Sequence, residues 1–92
     1  MITAIVQIRC SRELVPQTAE AVAELDGIAE VYSVSGDYDL VAILKVKEYD
    51  RIAQVGTEQM TRIPGVVRTN TISAFRVYSK TDREAGFTLG EG

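Results

Sequence analysis

Histidine and tryptophan are absent from this 92-residue chain, and cysteine occurs once, at Cys10. Without histidine the chain lacks the commonest general base and the commonest metal ligand. A single cysteine excludes an internal disulfide and any site built from several thiolates. No histidine is present to activate Cys10, so it reads as a strand-end or core residue rather than a nucleophile. No Gly-rich phosphate loop and no metal-ligand spacing occurs, and neither a metal nor a cofactor is expected. No apolar run reaches the roughly 20 residues that cross a bilayer. The N-terminus lacks the basic region and long apolar core of a signal peptide, so a cytoplasmic location is expected. The ten Lys and Arg residues are scattered and the net charge is −3. Direct nucleic-acid binding needs a basic patch and is not expected.

What is present is an ordinary globular composition, 46% hydrophobic and 25% charged. A chain this short buries only roughly 60–65% of its unfolded surface, so association between copies is a natural source of further burial. Glu13, Glu20, Glu24 and Glu30 read as solvated surface.

The chain repeats itself at an offset of 38 residues, with Leu25-Asp26-Gly27-Ile28 falling on Ile63-Pro64-Gly65-Val66. At the same offset Ile2, Ala4, Val6 and Ile8 fall on Leu40, Ala42, Leu44 and Val46, and Val22 falls on Met60. Two copies are too few for a solenoid; a duplicated strand–helix–strand unit fits better. Residues 2–9 read as a strand. Residues 12–25 read as a helix that properly starts near Val15, because Pro16 belongs in a first turn. Val15, Ala19, Val22 and Leu25 share one face of it, and Asp26-Gly27 stops it. Residues 28–35 and 39–47 read as antiparallel strands joined at Gly36-Asp37. Residues 49–62 read as a second helix with Ile52, Val55, Met60 and Ile63 toward the core. Gly56 there is either a weak spot of about 1 kcal/mol or a mark of close packing on the sheet. Residues 66–77 read as the last strand. The order βαββαβ with a duplicated half predicts an α+β, ferredoxin-like sandwich: an antiparallel sheet with both helices on one face. The other face is left bare and is expected to pair with another subunit.

Gly36-Asp37-Tyr38-Asp39 lies where two of these strands meet. A tight turn explains Gly36 and Asp37, and a half-buried strand residue explains Tyr38. The alternative is a ligand site: Asp37 or Asp39 accepts from an ammonium group while turn N–H groups donate to a carboxylate. Thr69, Thr71 and Ser73 recur every second residue and so share one sheet face. Threonine favours strands in any case, but three hydroxyls in register suit a polar ligand or a wet interface. Val31, Ser33 and Ser35 occupy the equivalent face of the second strand, while Val66, Ile72 and Ala74 serve the other face of the last one.

Val31-Tyr32-Ser33-Val34-Ser35-Gly36-Asp37-Tyr38-Asp39-Leu40 and Ile63-Pro64-Gly65-Val66-Val67-Arg68-Thr69-Asn70-Thr71, set in a βαββαβ frame, resemble the effector-binding domain of the Lrp/AsnC transcription factors, the RAM domain. The resemblance runs from about Ile2 to Val77. It implies a small-molecule amino-acid effector and dimers that pair through their sheets and assemble into tetramers, octamers or larger rings. It implies effector contacts from Gly36, Asp37, Tyr38 and Asp39, and from Thr69, Thr71 and Ser73. Family regulators carry an N-terminal helix-turn-helix; here a strand begins at Ile2, so a stand-alone effector module is expected.

The expected organisation is a ligand-binding domain over 1–78 and an extension over 79–92. Phe87 and Leu89 of that extension are expected to dock on the same or a neighbouring subunit. The leading reading is a non-enzymatic oligomeric module that binds an amino acid or related metabolite. Co-assembly with full-length regulators is a further expectation. Two alternatives stand beside it: a structural oligomerisation domain without ligand, and a small cofactor-free monooxygenase or isomerase. The last needs a polar catalytic group in a deep apolar cleft, and Asn70 is the lone asparagine.

Overall fold

The computed structural model describes residues 1–80. The chain runs β1 (Ile2–Cys10), a 3-10 turn (Arg12–Leu14), α1 (Val15–Ala23), β2 (Ile28–Ser33), β3 (Leu40–Val46), α2 (Tyr49–Ala53) and β4 (Val66–Ala74). The strands form one antiparallel sheet in the order β2-β3-β1-β4. This is the α+β, ferredoxin-like arrangement expected from the duplicated pattern.

Strand alternation sets the layers. Ala4, Val6, Ile8 and Cys10 of β1 and Leu40, Ala42, Leu44 and Val46 of β3 point to one face and are all buried. Val22 of α1 closes over them with Ile52, Val55 and Met60 from the second helical segment. Each fully buried aliphatic side chain of this set contributes roughly 1.5–3 kcal/mol. Val15, Ala19, Leu25 and Ile63 pack around that centre, as their spacing predicts. Thr18, which the sequence does not single out, is buried as well, and its hydroxyl donates to the Pro64 carbonyl at 3.4 Å. A buried hydroxyl is costly without such a partner.

The second helix differs from the expected single run over 49–62. After α2 the chain widens into a π-helical segment, Gln54–Gln59, and tightens into a 3-10 turn, Met60–Arg62. The widened turn brings the consecutive residues Val55 and Gly56 both against the sheet. Gly56 marks a close approach: a Cβ there would lie 3.1 Å from Thr71 Oγ1.

The connection between β2 and β3 is longer than a two-residue turn. β2 ends at Ser33 and β3 begins at Leu40, with Val34 N–H donating to the Asp39 carbonyl at 3.0 Å across the loop. Asp39 turns toward β1 instead, its N–H donating to the Ile8 carbonyl at 2.9 Å.

The face opposite the helices carries Ile5 paired with both Ile43 and Ile72, and Gln7 paired with Val41 and Asn70. Asn70 Nδ2 donates to Gln7 Oε1 at 2.8 Å. Ile72 is 44% exposed and Tyr32 48% exposed. Ile72 and Ala74 do lie on the face opposite the hydroxyls, but Val66 does not. The register shifts between Arg9 and Cys10, which returns Val66 to the core side. The extension with Phe87 and Leu89 lies outside the described residues, apart from its first two positions. Among the described residues no helix is long and apolar enough to cross a membrane.

Candidate functional site

The loop at the end of β2 is held by groups from β1. Gly36 has a φ of +109°, a left-handed conformation that side-chain-bearing residues rarely adopt, and among the described residues nothing lies within 4 Å of where a Cβ would stand. Conformation and open access, rather than packing, therefore call for glycine here. Arg9 donates from both Nε and Nη2 to the Asp37 carbonyl, the Nε bond measuring 3.1 Å. Asp39 Oδ2 accepts from the Cys10 N–H at 2.7 Å, a charge-assisted bond that ties β3 to the end of β1. Just beyond, Ser11 N–H donates to the Gly65 carbonyl at 2.8 Å and Leu14 N–H to the Ser11 carbonyl at 2.9 Å. Those two bonds bend the chain into the 3-10 turn that carries Arg12.

The result is a surface cleft of about 320 Å³ lined by Arg9, Cys10, Arg12, Gly36, Asp37 and Asp39. The cleft brings together two guanidiniums and two carboxylates around a glycine backbone, a set suited to a small molecule bearing both charges. Burial raises the Cys10 pKa, and the negative charge of Asp39 raises it further, while a hydrogen bond with Thr18 opposes them. The thiol is thus protonated at neutral pH, the reverse of the shift that activates a cysteine as a nucleophile.

The expected site residues divide into three groups. Gly36, Asp37 and Asp39 line the cleft. Tyr38 belongs to a separate cluster, with the guanidiniums of Arg9 and Arg68 over its ring, 6.0 and 5.5 Å from the ring centre. Arg68 Nη2 also donates to Tyr38 Oη at 3.4 Å. Thr69, Thr71 and Ser73 stand opposite Ile8, Val6 and Ala4 on the helix-covered side of the edge strand β4. Strand β1 separates them from β3 and the loop that leads into it. Ser73 is about 14 Å further along the strand than Thr69 at the ordinary rise per residue. They do not line the cleft within this chain. Sequence reading missed Arg9 and Arg12. The antiparallel pairing of β1 with β3, implied by the ferredoxin-like order, was the available signal for Arg9; none pointed to Arg12.

A second cleft, of about 350 Å³, lies among Met1, Asp26, Gly27, Lys45, Val46, Lys47, Glu48 and Arg51. Arg51 is already engaged there by Asp26 at 3.7 Å and by Gln54 at 2.6 Å. Among the described residues no group of three possible metal ligands occurs.

The strand order and helices define a ferredoxin-like α+β domain with a charged surface cleft. Residues 3–84 match the model of the Lrp/AsnC ligand binding domain, and the chain belongs to that family. It is 28% identical over 78 residues to the HTH-type transcriptional regulator LysM of Saccharolobus solfataricus, a match covering 84% of this chain and 54% of that protein. The chain thus spans about half the length of that curated relative, and the match to a Pyrococcus abyssi regulator covers 39% of that protein. Among solved structures, TTHA0845 from Thermus thermophilus is 46% identical with a TM-score of 0.81, covering 87% of this chain and 100% of that one. A regulator from Neisseria meningitidis solved as an L-Met complex shares the fold at 9% identity and a TM-score of 0.73, over 82% of this chain and 50% of that one.

Proposed function

We propose that this domain is a non-enzymatic, cytoplasmic effector module that binds an amino acid or related small metabolite and assembles with copies of itself in the service of transcriptional regulation. The observation that carries this reading is the cleft at the Gly36–Asp39 loop, where charges of both signs converge on an open glycine backbone. The L-Met complex of the Neisseria regulator supports an amino-acid ligand for this fold. The half-exposed Ile72 beside Ile5 and Ile43 supports pairing of two sheets face to face. Tyr38, Thr69, Thr71 and Ser73 stand away from the cleft within one chain and contact ligand held by a further copy, one that meets the β4 edge rather than the paired sheet face. The extension over 79–92 docks on the same or a neighbouring subunit, and full-length regulators sharing the domain co-assemble through the same face.

Thermal melting against the twenty standard amino acids, with assembly mass recorded alongside, tests the reading. At a concentration 100 times the dissociation constant, a ligand stabilises by about 2.7 kcal/mol per site. For a domain of this length that is a shift of several degrees or more. A selective shift for one or a few amino acids is expected. A stable assembly whose melting no amino acid moves would sink the effector reading and leave a structural oligomerisation module.

A further inference from the structure

We infer that the amide pair Gln7–Asn70, set in the apolar sheet face opposite the helices, restricts pairing across that face to chains carrying the same two amides. This inference rests on the self-assembly reading and names what selects the partner.

The strand register lays this face out in rows. Ile43, Ile5 and Ile72 form one row across β3, β1 and β4. Val41, Gln7 and Asn70 form the next, about 7 Å along the strands at the ordinary rise per residue. The two amides are thus bordered by aliphatic side chains. Asparagine is depleted in strands, and Asn70 stands in the middle of β4, where no turn or helix cap calls for it. Gln7 lies on β1, which has a paired strand on each side.

The amides share one bond, from Asn70 Nδ2 to Gln7 Oε1 at 2.8 Å. Among the described residues neither side chain has another hydrogen-bond partner. Each amide carries two N–H donors and one carbonyl acceptor. Both N–H groups of Gln7, one of Asn70 and the Asn70 carbonyl oxygen are therefore left to water or to a partner. A sheet that seats on the isoleucine row takes these groups out of water with it. Against an apolar surface, each stranded group weakens association by roughly ten- to a hundredfold. A second copy meets them instead. A two-fold axis presents the same donors and the same acceptor in reverse. Gln7 Nε2 of each copy then donates to the partner's Asn70 Oδ1, and both bonds close together. A polar pair in an apolar seam acts in this way in coiled coils, where one buried asparagine fixes register and partner at a cost in stability.

Subunit exchange between the 92-residue chain and its Gln7→Leu/Asn70→Leu variant tests this. Isotope labelling of one of the two separates the species by native mass spectrometry, and labelled against unlabelled parent shows when exchange is complete. Mixed assemblies of parent and double variant are expected about tenfold below their statistical share. Gln7→Leu and Asn70→Leu alone are each expected to weaken self-association by about tenfold. The double variant is expected to associate more tightly than either, because apolar groups then meet apolar groups. Gln7 is half-buried and Asn70 exposed, and circular dichroism verifies that the variants fold. Mixed assemblies at the statistical share, single variants as tight as the parent, or a double variant no tighter than the singles overturn this inference and leave self-assembly intact. A parent that stays monomeric at every concentration overturns both.

Discussion

Gly65→Ala strikes the corner on which the cleft depends. Gly65 has a φ of +100°, and its carbonyl accepts from Ser11 N–H at the start of the Arg12 turn. A methyl group there would overlap Thr18 Oγ1 outright and come 3.2 Å from Leu14 Cβ. Thr18 is 1% exposed and is held by its bond to the Pro64 carbonyl, so it has little room to yield. The left-handed backbone costs alanine about 1–2 kcal/mol, and overpacking a filled site costs about 1–3 kcal/mol more. The expected loss is therefore about 2–5 kcal/mol, a large share of the 5–15 kcal/mol typical of whole domains. Urea unfolding followed by circular dichroism measures it, at one protomer concentration because association feeds into apparent stability. The Thr18→Ala background separates the two contributions. With the hydroxyl gone, Gly65→Ala should cost mainly the backbone part, about 1–2 kcal/mol, since the remaining close approach, to Leu14 Cβ at 3.2 Å, needs only a small shift. A loss below about 1 kcal/mol in the parent, or the same loss in both backgrounds, would refute the steric reasoning.

Three further outcomes follow from the same geometry. Gly56→Ala is expected to be neutral or to stabilise by up to about 1 kcal/mol, because Thr71 is exposed on an edge strand and can rotate away from the new methyl; a measured loss above about 1 kcal/mol would show Thr71 to be held. Burial and Asp39 raise the Cys10 pKa, so the folded thiol keeps a proton that the unfolded one loses above its ordinary value of about 8.5. That contribution is fully present below this pH and fades as pH rises past it, so urea midpoints at pH 7, 9 and 10 should fall more steeply for the parent than for Cys10→Ala. Ile5→Lys places a charge in the middle of the sheet face opposite the helices and is expected to reduce the assembly to monomers by light scattering; an unchanged mass would place the interface elsewhere.

Much of the architecture was legible in the chain because it depends on local periodicity. Alternation over residues 2–9 and 40–46 marks the inward faces of the two central strands, and the stripe Val15, Ala19, Val22 and Leu25 marks the buried side of α1. These patterns hold wherever the elements end up, since an apolar face must be covered in any fold. The offset repeat extends the same logic to the second half. The widened turn around Gly56 was not legible; the glycine alone suggested close packing on the sheet, and the neighbour it packs near, Thr71, belongs to another element.

The sequence by itself determined the element order, the core and the place of the Gly36–Asp39 loop at a strand end, all consequences of spacing within one segment. Only the tertiary structure decided what meets that loop. Arg9 reaches Asp37 because β1 runs antiparallel beside β3, and Arg12 stands over the cleft because Ser11 bonds to Gly65 across the length of the chain. The row Thr69, Thr71 and Ser73 was a single face in the sequence, but the pairing of β4 with β1 decided that this face lies on the helix side, away from the cleft. Register between strands is a long-range choice, made by the sum of pairings across the sheet, and no window of local sequence contains it.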